Sequence, residues 1–549
     1  MKKCISTMIG LALLLQLLLS GCGAKPPVSP QNPSGSGTLA NVSDSILRYT
    51  MVSVPKIDPG VGADAAGATI FVNVYDPLVM PAHDGSVTPW IATSWEVSDD
   101  SLVWTFHLRD DVTFHSGNKL TAKDVAYTMN RMLALGEGFG YLFSAVQEAV
   151  VVDDYTVQFI CSQVSGTLEA ALIRLYILDS ALVEANYQEG VYGEFGDYGK
   201  SFLLENDAGS GPYKIKEFLP NTHVYCEQFP EYWAGFGENN PKEFKLIGSN
   251  EAVTVRAMMQ NKELEIADKY QTYETTEAMG AMDGVEVMSY VLGSELYLTL
   301  NNQKAPTDDV HIRRALAYMV DYSAITQSVF PDSVQADSVV PSTLFGYTEM
   351  HDFSYNIEKA KEEIAQSKYA ADIQNYPIDI SWVAETPDRE KLALIIQAAA
   401  SEVGLNVNIV KTPWTSVVEG AATVEGTPHA TTTLWSADYP EAGSYFSACV
   451  RSKDVGTWAN SLWIGDAKLD GMIDDALRTI DAAQREQKYK EIQAYMADIC
   501  AAIPIMIEAE RSAYQASYVE WNAARQDQLI PVMGYPFYMR NINLYPDRR

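Results

Sequence analysis

The stretch from Gly85 to Arg131 restricts the fold more tightly than any other part of the chain. Within it Trp104, Phe106 and Leu108 alternate with Thr105, His107 and Arg109, so a strand there carries one apolar and one polar face. Before it comes Trp90 to Val97, separated by the turn-forming Ser98-Asp99-Asp100-Ser101. Beyond it, Thr121 and Asp124 form a T-x-x-D helix start, with Val125, Met129 and Met132 on one side of the helix that follows. The order is strand, turn, strand, capped helix. Nothing in it does chemistry: its aromatic and aliphatic positions read as core and its polar positions as turns.

The N-terminus decides the compartment. Lys2 and Lys3 precede an apolar run, Leu11 to Leu19, broken only by Gln16. That run is too short for a membrane-spanning helix and has the form of a signal peptide, predicted over residues 1–21. Its end, Leu19-Ser20-Gly21-Cys22, resembles a bacterial lipobox, which makes Cys22 the lipidated residue. Residues 22–40, rich in Pro, Ser and Gly, read as a linker that holds the rest off the membrane. The expected location is the extracytoplasmic face of the cytoplasmic membrane.

A length of 549 residues suggests two to four domains at roughly 150 residues each, and 47% hydrophobic residues place the chain in the globular class. A net charge of −32 argues against binding to nucleic acid, whose phosphates require clustered Lys and Arg. Beyond Cys4 and Cys22, the cysteines at 161, 226, 449 and 500 are too scattered for a disulfide scaffold. They either form a pair or two or stay buried and reduced.

Along the chain, extended segments are predicted at 46–52, 214–218, 223–229 and 296–301, a hairpin at 150–160 and a helix around Ala315. Further on, Ile378 to Val383, Arg389 to Val403 and Asn406 to Val410 read as strand, helix and strand, the spacing of a parallel βαβ unit. Helices at 469–480 and 485–500 precede a β-like run at 503–507. Gly199-Lys200-Ser201 ends like a phosphate loop, but Glu194 stands where that motif requires glycine. H-E-x-x-H, G-x-S-x-G and zinc-spaced cysteine pairs are all missing, and the seven histidines never fall three or four apart. No catalytic residue, metal site or cofactor is predicted.

The string from Gly85 to Val125, together with Gly209-Ser210-Gly211-Pro212-Tyr213, Glu231-Tyr232-Trp233 and Asp308 to Tyr318, closely resembles the family 5 extracellular solute-binding proteins. These bind oligopeptides, dipeptides or nickel and feed ABC importers. The resemblance implies an α/β fold of two lobes around a hinge, with an extra inserted domain. One lobe would comprise 41–80, 208–303 and 512–549, the inserted domain 81–207, and the second lobe 304–511. It also implies a monomer that closes on a peptide or other small solute and delivers it to importer membrane subunits. An opine, an oligosaccharide or a nickel chelate as ligand, or a surface sensor or hydrolase on the same fold, are the alternatives.

Leu434-Trp435-Ser436-Ala437-Asp438-Tyr439-Pro440 follows a β-like run, so Asp438 would lie at a strand end, where clefts are built. It resembles the W-x-A-D-Y segment of oligopeptide binders. That resemblance implies Asp438 as partner of the ligand ammonium and Trp435 as pocket wall. Trp414 matches a second pocket aromatic; Tyr439, Tyr141 and Tyr213 complete the expected ligand-binding set. A turn role for Asp438 and core roles for the aromatics are the plainer alternatives. The lipobox generates the first prediction. Metabolic labelling with a fatty acid should mark the wild type and leave Cys22→Ser unlabelled, and equal label in both would exclude lipid on Cys22.

Overall fold

The computed structural model describes residues 45–249, 251–350 and 354–549. The predicted leader, Cys22 and the linker lie outside the described residues. The first strand, β1 (Ile46–Met51), is buried along its whole length. Arg48 within it is held by Glu265, which accepts from Nε at 2.8 Å and Nη2 at 2.7 Å. A charge in a covered strand requires such a partner.

The strand-turn-strand-helix stretch folds as predicted. β2 (Ala92–Val97), β3 (Val103–Leu108), β4 (Val146–Asp153) and β5 (Thr156–Cys161) make an antiparallel sheet in the order β2-β3-β5-β4. Trp104, Phe106 and Leu108 face inward. Helix α1 (Ala122–Leu135) begins where Asp124 accepts the Thr121 backbone N–H at 2.9 Å, and it buries Val125, Met129 and Met132. From the same helix Arg131 reaches Asp58 in a bidentate pair of 2.9 and 2.6 Å, with side-chain exposures of only 1% and 5%. One continuous apolar cluster runs from β1 through α1 and this sheet.

Asp76 gathers several of the sequence segments that looked separate. It is buried and accepts hydrogen bonds from Trp90 Nε1 (2.8 Å), Ser210 Oγ (2.9 Å), the Tyr232 hydroxyl (2.9 Å) and Trp233 Nε1 (3.3 Å). Burial raises its pKa above the ordinary value, against the pull of those four donors. β6 (Tyr213–Leu219), β7 (His223–Gln228) and β8 (Glu243–Gly248) then complete the first lobe's sheet in the order β1-β8-β7-β6.

The second lobe is built on a six-stranded sheet. Its long strand β9 (Glu286–Leu300) is followed by β10 (Val334–Gln335), β11 (Ile378–Val383), helix α2 (Asp388–Glu402), β12 (Val407–Thr412) and β13 (Ala430–Ser436). Helices α3 (Ala467–Leu477) and α4 (Ala482–Ile499) lead into β14 (Ala502–Tyr514). The order is β10-β14-β9-β13-β11-β12, and β11 and β12 are parallel across α2, as the βαβ spacing predicted.

β9 and β14 pair along most of their length and run out of this sheet towards the first, which β14 meets through isolated bridges from Ile266 to Tyr49 and Tyr514. Midway the register slips: Val291 faces Ala509 and Glu295 faces Ile507, leaving Leu292, Gly293 and Ser294 opposite Glu508 alone. Gly293 sits at φ +94°, and a Cβ there would lie 2.4 Å from Thr343 Oγ1. The bulge bends the pair where it passes between the two lobes' apolar clusters. All four cysteines among the described residues are buried and unpaired.

The Arg131–Asp58 pair gives a stability prediction. Asp58→Ala strands a buried guanidinium and should cost about 3–5 kcal/mol in urea unfolding. Asp111→Ala removes only the exposed partner of Arg109 and should cost about 1 kcal/mol or less. Equal losses would mean that burial does not set the strength of these pairs.

Candidate functional site

β13 ends at Ser436, and the backbone leaves the sheet with Asp438 partly buried at its tip. The Asp438 backbone N–H donates to Ser444 Oγ at 3.0 Å. Its remaining partners come from the first lobe. Tyr141, in the 3₁₀ turn Gly138–Phe143, donates its hydroxyl to the Asp438 carboxylate, and Arg174 Nε donates to the Asp438 carbonyl at 2.7 Å. Burial raises the Asp438 pKa, while the Arg174 charge and the Tyr141 hydrogen bond pull it down. The aspartate therefore sits between lobes, at the strand end where the sequence put it.

Tyr439 crosses with it: its ring belongs to the second lobe by sequence yet packs, 2% exposed, in the first lobe's apolar cluster. Trp435 is buried in the second lobe, edge-on to Tyr445 at 5.2 Å. Trp414 opens the helix Trp414–Gly420 and stacks edge-on with Trp458 at 5.1 Å; no contact joins it to Asp438. Tyr213 is a correction to the expected set. It is fully buried in the first lobe, its hydroxyl donating to the Pro241 carbonyl at 2.7 Å and its ring set against Phe244, which leaves no surface for a ligand. The structure thus brings Asp438, Tyr141 and Tyr439 together, and sets Trp435, Trp414 and Tyr213 in other packing.

Two clefts lie between the lobes. One, with an empty volume of about 560 Å³, is lined by Lys269, Tyr270, Arg389, Leu434, Glu508 and Glu510 among others. Lys269 pairs with Glu510, and Arg389 approaches Glu508 at 3.6 Å. Burial raises the Glu508 pKa, against the Arg389 and Lys269 charges. Sequence reasoning missed these four residues. The signal was there: Glu508 and Glu510 alternate at the end of the apolar run Ile503 to Ile507, which puts both carboxylates on one face of a strand. The other cleft, about 620 Å³, begins at Tyr141 and Tyr439 and extends away to Arg478.

At its rim the lobes touch through backbone. The Gly166 N–H donates to the Leu477 carbonyl at 2.7 Å, and a Cβ on Gly166 would fall 2.0 Å from the Thr479 carbonyl oxygen. Close by, Arg485 Nε donates to Glu441 Oε1 at 2.6 Å, while Glu441 Oε2 has no hydrogen-bond partner among the described residues. Lys200, of the abandoned phosphate-loop reading, pairs with Glu137 at 2.6 Å. Among the described residues no cluster of His, Cys, Asp and Glu is placed to hold a metal ion, and no helix is long and apolar enough to cross a membrane.

Comparison with known proteins bears on the family and the fold. The profile described as "Bacterial extracellular solute-binding proteins, family 5 Middle" matches residues 86–457. The probable D,D-dipeptide-binding periplasmic protein DdpA of Escherichia coli K12 is 25% identical over 457 residues, covering 81% of this chain and 85% of that one. A dipeptide-binding protein of the same strain is 25% identical over 536 residues, covering 92% and 93%. The crystal structure of the ABC transporter substrate-binding protein CtaP of Listeria monocytogenes superposes with a TM-score of 0.78 at 21% identity, over 91% of this chain and 99% of that one.

Glu441 makes the rim sensitive to pH. Burial pushes its carboxyl from 4.5 up to about 7, although Arg485 opposes the shift. A raised acid favours its neutral form in the folded chain. That contribution is complete below the unfolded value near 4.5 and is lost as pH rises through 7. The urea midpoint of the wild type should therefore fall between about pH 5 and about pH 8 more than that of Glu441→Gln, which cannot ionise there. Parallel profiles for the two proteins would rule out Glu441 as the source.

Proposed function

The chain belongs to the bacterial extracellular solute-binding proteins of family 5, and from that premise we propose that it captures peptides between its lobes and delivers them to the membrane subunits of an ABC importer. Asp438 takes the ligand's α-ammonium. The observation that carries this reading is the position of its carboxylate: partly buried, at the end of β13, and met by Tyr141 from the opposite lobe. Burial alone raises its pKa, and an arriving ammonium would stabilise its charged form. Lys269 and Arg389, each beside a glutamate in the neighbouring cleft, are the cations available to a ligand carboxylate. Water fills whatever volume a given side chain leaves, so a peptide's backbone is read and its sequence largely tolerated.

Two lobes joined by a bent strand pair support a hinge, and a ligand that touches both lobes favours the closed arrangement. The chain binds without turnover and works as a monomer, held to the outer face of the cytoplasmic membrane by lipid on Cys22. The names of the two Escherichia coli relatives support a peptide as ligand.

Removing the Asp438 charge would leave the ammonium desolvated and unpaired, a loss of about 2–5 kcal/mol, or roughly 30- to several thousand-fold in affinity. Calorimetric titration of wild type and Asp438→Asn with trialanine and N-acetyl-trialanine tests this. The wild type should strongly prefer the free amine and the variant should lose that preference. If both proteins bind the two peptides alike, Asp438 is not the ammonium site. If the wild type binds neither, the ligand is not a short peptide.

A further inference from the structure

The cleft that begins at Tyr141 and Tyr439 has a composition at odds with the rest of the chain. In a protein of net charge −32, three basic residues, Arg451, Lys453 and Arg478, line it against one carboxylate, Asp474. They all come from the second lobe. Facing them across the cleft, the first lobe supplies uncharged hydrogen-bonding groups, Ser165 and Thr167 among them.

The cations are not fully satisfied by their neighbours. Arg451 holds Asp454 through Nη2 at 2.9 Å, but reaches Asp474 only at 3.7 Å, and its Nε is buried without a hydrogen-bond partner among the described residues. Arg478 stands 3.8 Å from Asp474 with half its side chain exposed, 53%. Lys453 is exposed and has no carboxylate within ion-pair distance among the described residues. Two aspartates, Asp454 on Arg451 alone and Asp474 shared at long range by both arginines, face three cations, which leaves a net positive charge. An anion entering here would find fork-shaped donors on one wall and hydroxyls on the other.

The position of the cleft identifies that anion. It is lined by Tyr141, whose hydroxyl already meets the Asp438 carboxylate, and by Tyr439, the residue next to Asp438 in the chain. A ligand whose ammonium rests on Asp438 carries its first side chain on the same carbon as that ammonium, beside the two tyrosines that line this cleft. We infer that this cleft is an anion-recognition subsite, in which Arg451, Arg478 and Lys453 select peptides whose first residue carries an acidic side chain. The inference rests on Asp438 as the ammonium partner and adds a ligand preference to it. Because the two walls belong to different lobes, an acidic side chain bound there touches both and favours closure.

The test is calorimetric titration of the intact protein with glutamyl-dialanine and glutaminyl-dialanine, which differ by one charge at nearly constant shape. The wild type should bind the glutamyl peptide about tenfold or more tightly, the effect of a charge-assisted hydrogen bond. The preference should shrink as salt is added. Arg478→Gln, an exposed change with little effect on folding, should reduce it, and Arg451→Gln with Arg478→Gln should abolish it. The glutaminyl peptide should bind wild type and variants alike. Equal affinity of the wild type for both peptides overturns the subsite. If these equal affinities still depend on a free N-terminal amine, the Asp438 reading stands alone. A wild type that binds neither peptide overturns both readings, and a preference that survives in the double variant places the selective cation elsewhere.

Discussion

Among the described residues only β9 and β14 carry an extended ladder from one lobe's core to the other, and every contact made between the lobes has to be compatible with the bend in that pair. The bulge at Leu292, Gly293 and Ser294 is the device. It uses a backbone conformation that suits glycine, and it turns the strands without breaking their pairing on either side. Ser294 Oγ lies 2.7 Å from Ser436 Oγ, so the bend is tied directly to the strand whose end presents Asp438. A change of angle at the bulge is therefore felt at the aspartate through one hydroxyl pair and two residues of chain.

The buried charges follow the same geometry. Within the first lobe, Arg131–Asp58 and Arg48–Glu265 are closed units with their donors and acceptors matched. Elsewhere the matching is incomplete: among the described residues Glu441 Oε2 and Arg451 Nε lack partners, and Arg389 and Glu508 stand apart at 3.6 Å. Burying unmatched charge is costly, and a region that opened to water or received a polar ligand would recover that cost. Glu295 extends the pattern into β9 itself, fully buried with neither oxygen hydrogen-bonded among the described residues, and its pKa stands well above the ordinary value because of burial.

What could be read from the sequence was local and periodic. Alternation placed β3, the T-x-x-D start placed α1, and strand-helix-strand spacing placed β11, α2 and β12. The long crossing strands were only partly visible. Gly293, Ser294 and Glu295 break the alternation of β9, and only Ile503 to Ile507 of β14 reads as strand, ahead of the charged Glu508, Glu510 and Arg511. These charges sit in a strand because a cleft and a facing lysine receive them. Tyr213, expected in the ligand-binding set, is buried instead, its hydroxyl taken by the Pro241 carbonyl inside the core. The basic cleft was invisible because its walls come from segments near 165 and from 451 to 478, and neither segment is basic by itself.

A strongly acidic chain with a locally basic cleft sets up a competition that distance decides. At physiological salt the Debye length is about 8 Å, so most of the −32 charge is screened from a ligand already within the cleft. During approach the whole surface repels an anion weakly; at contact two arginines and a lysine dominate, because pairs inside a partly dry cleft are screened far less. Selectivity built this way acts mainly on how long a ligand stays rather than how fast it arrives. For a protein that must hold its cargo closed until it meets a membrane partner, residence time is the quantity that matters, and the cations lie on the wall that closure brings against the first lobe.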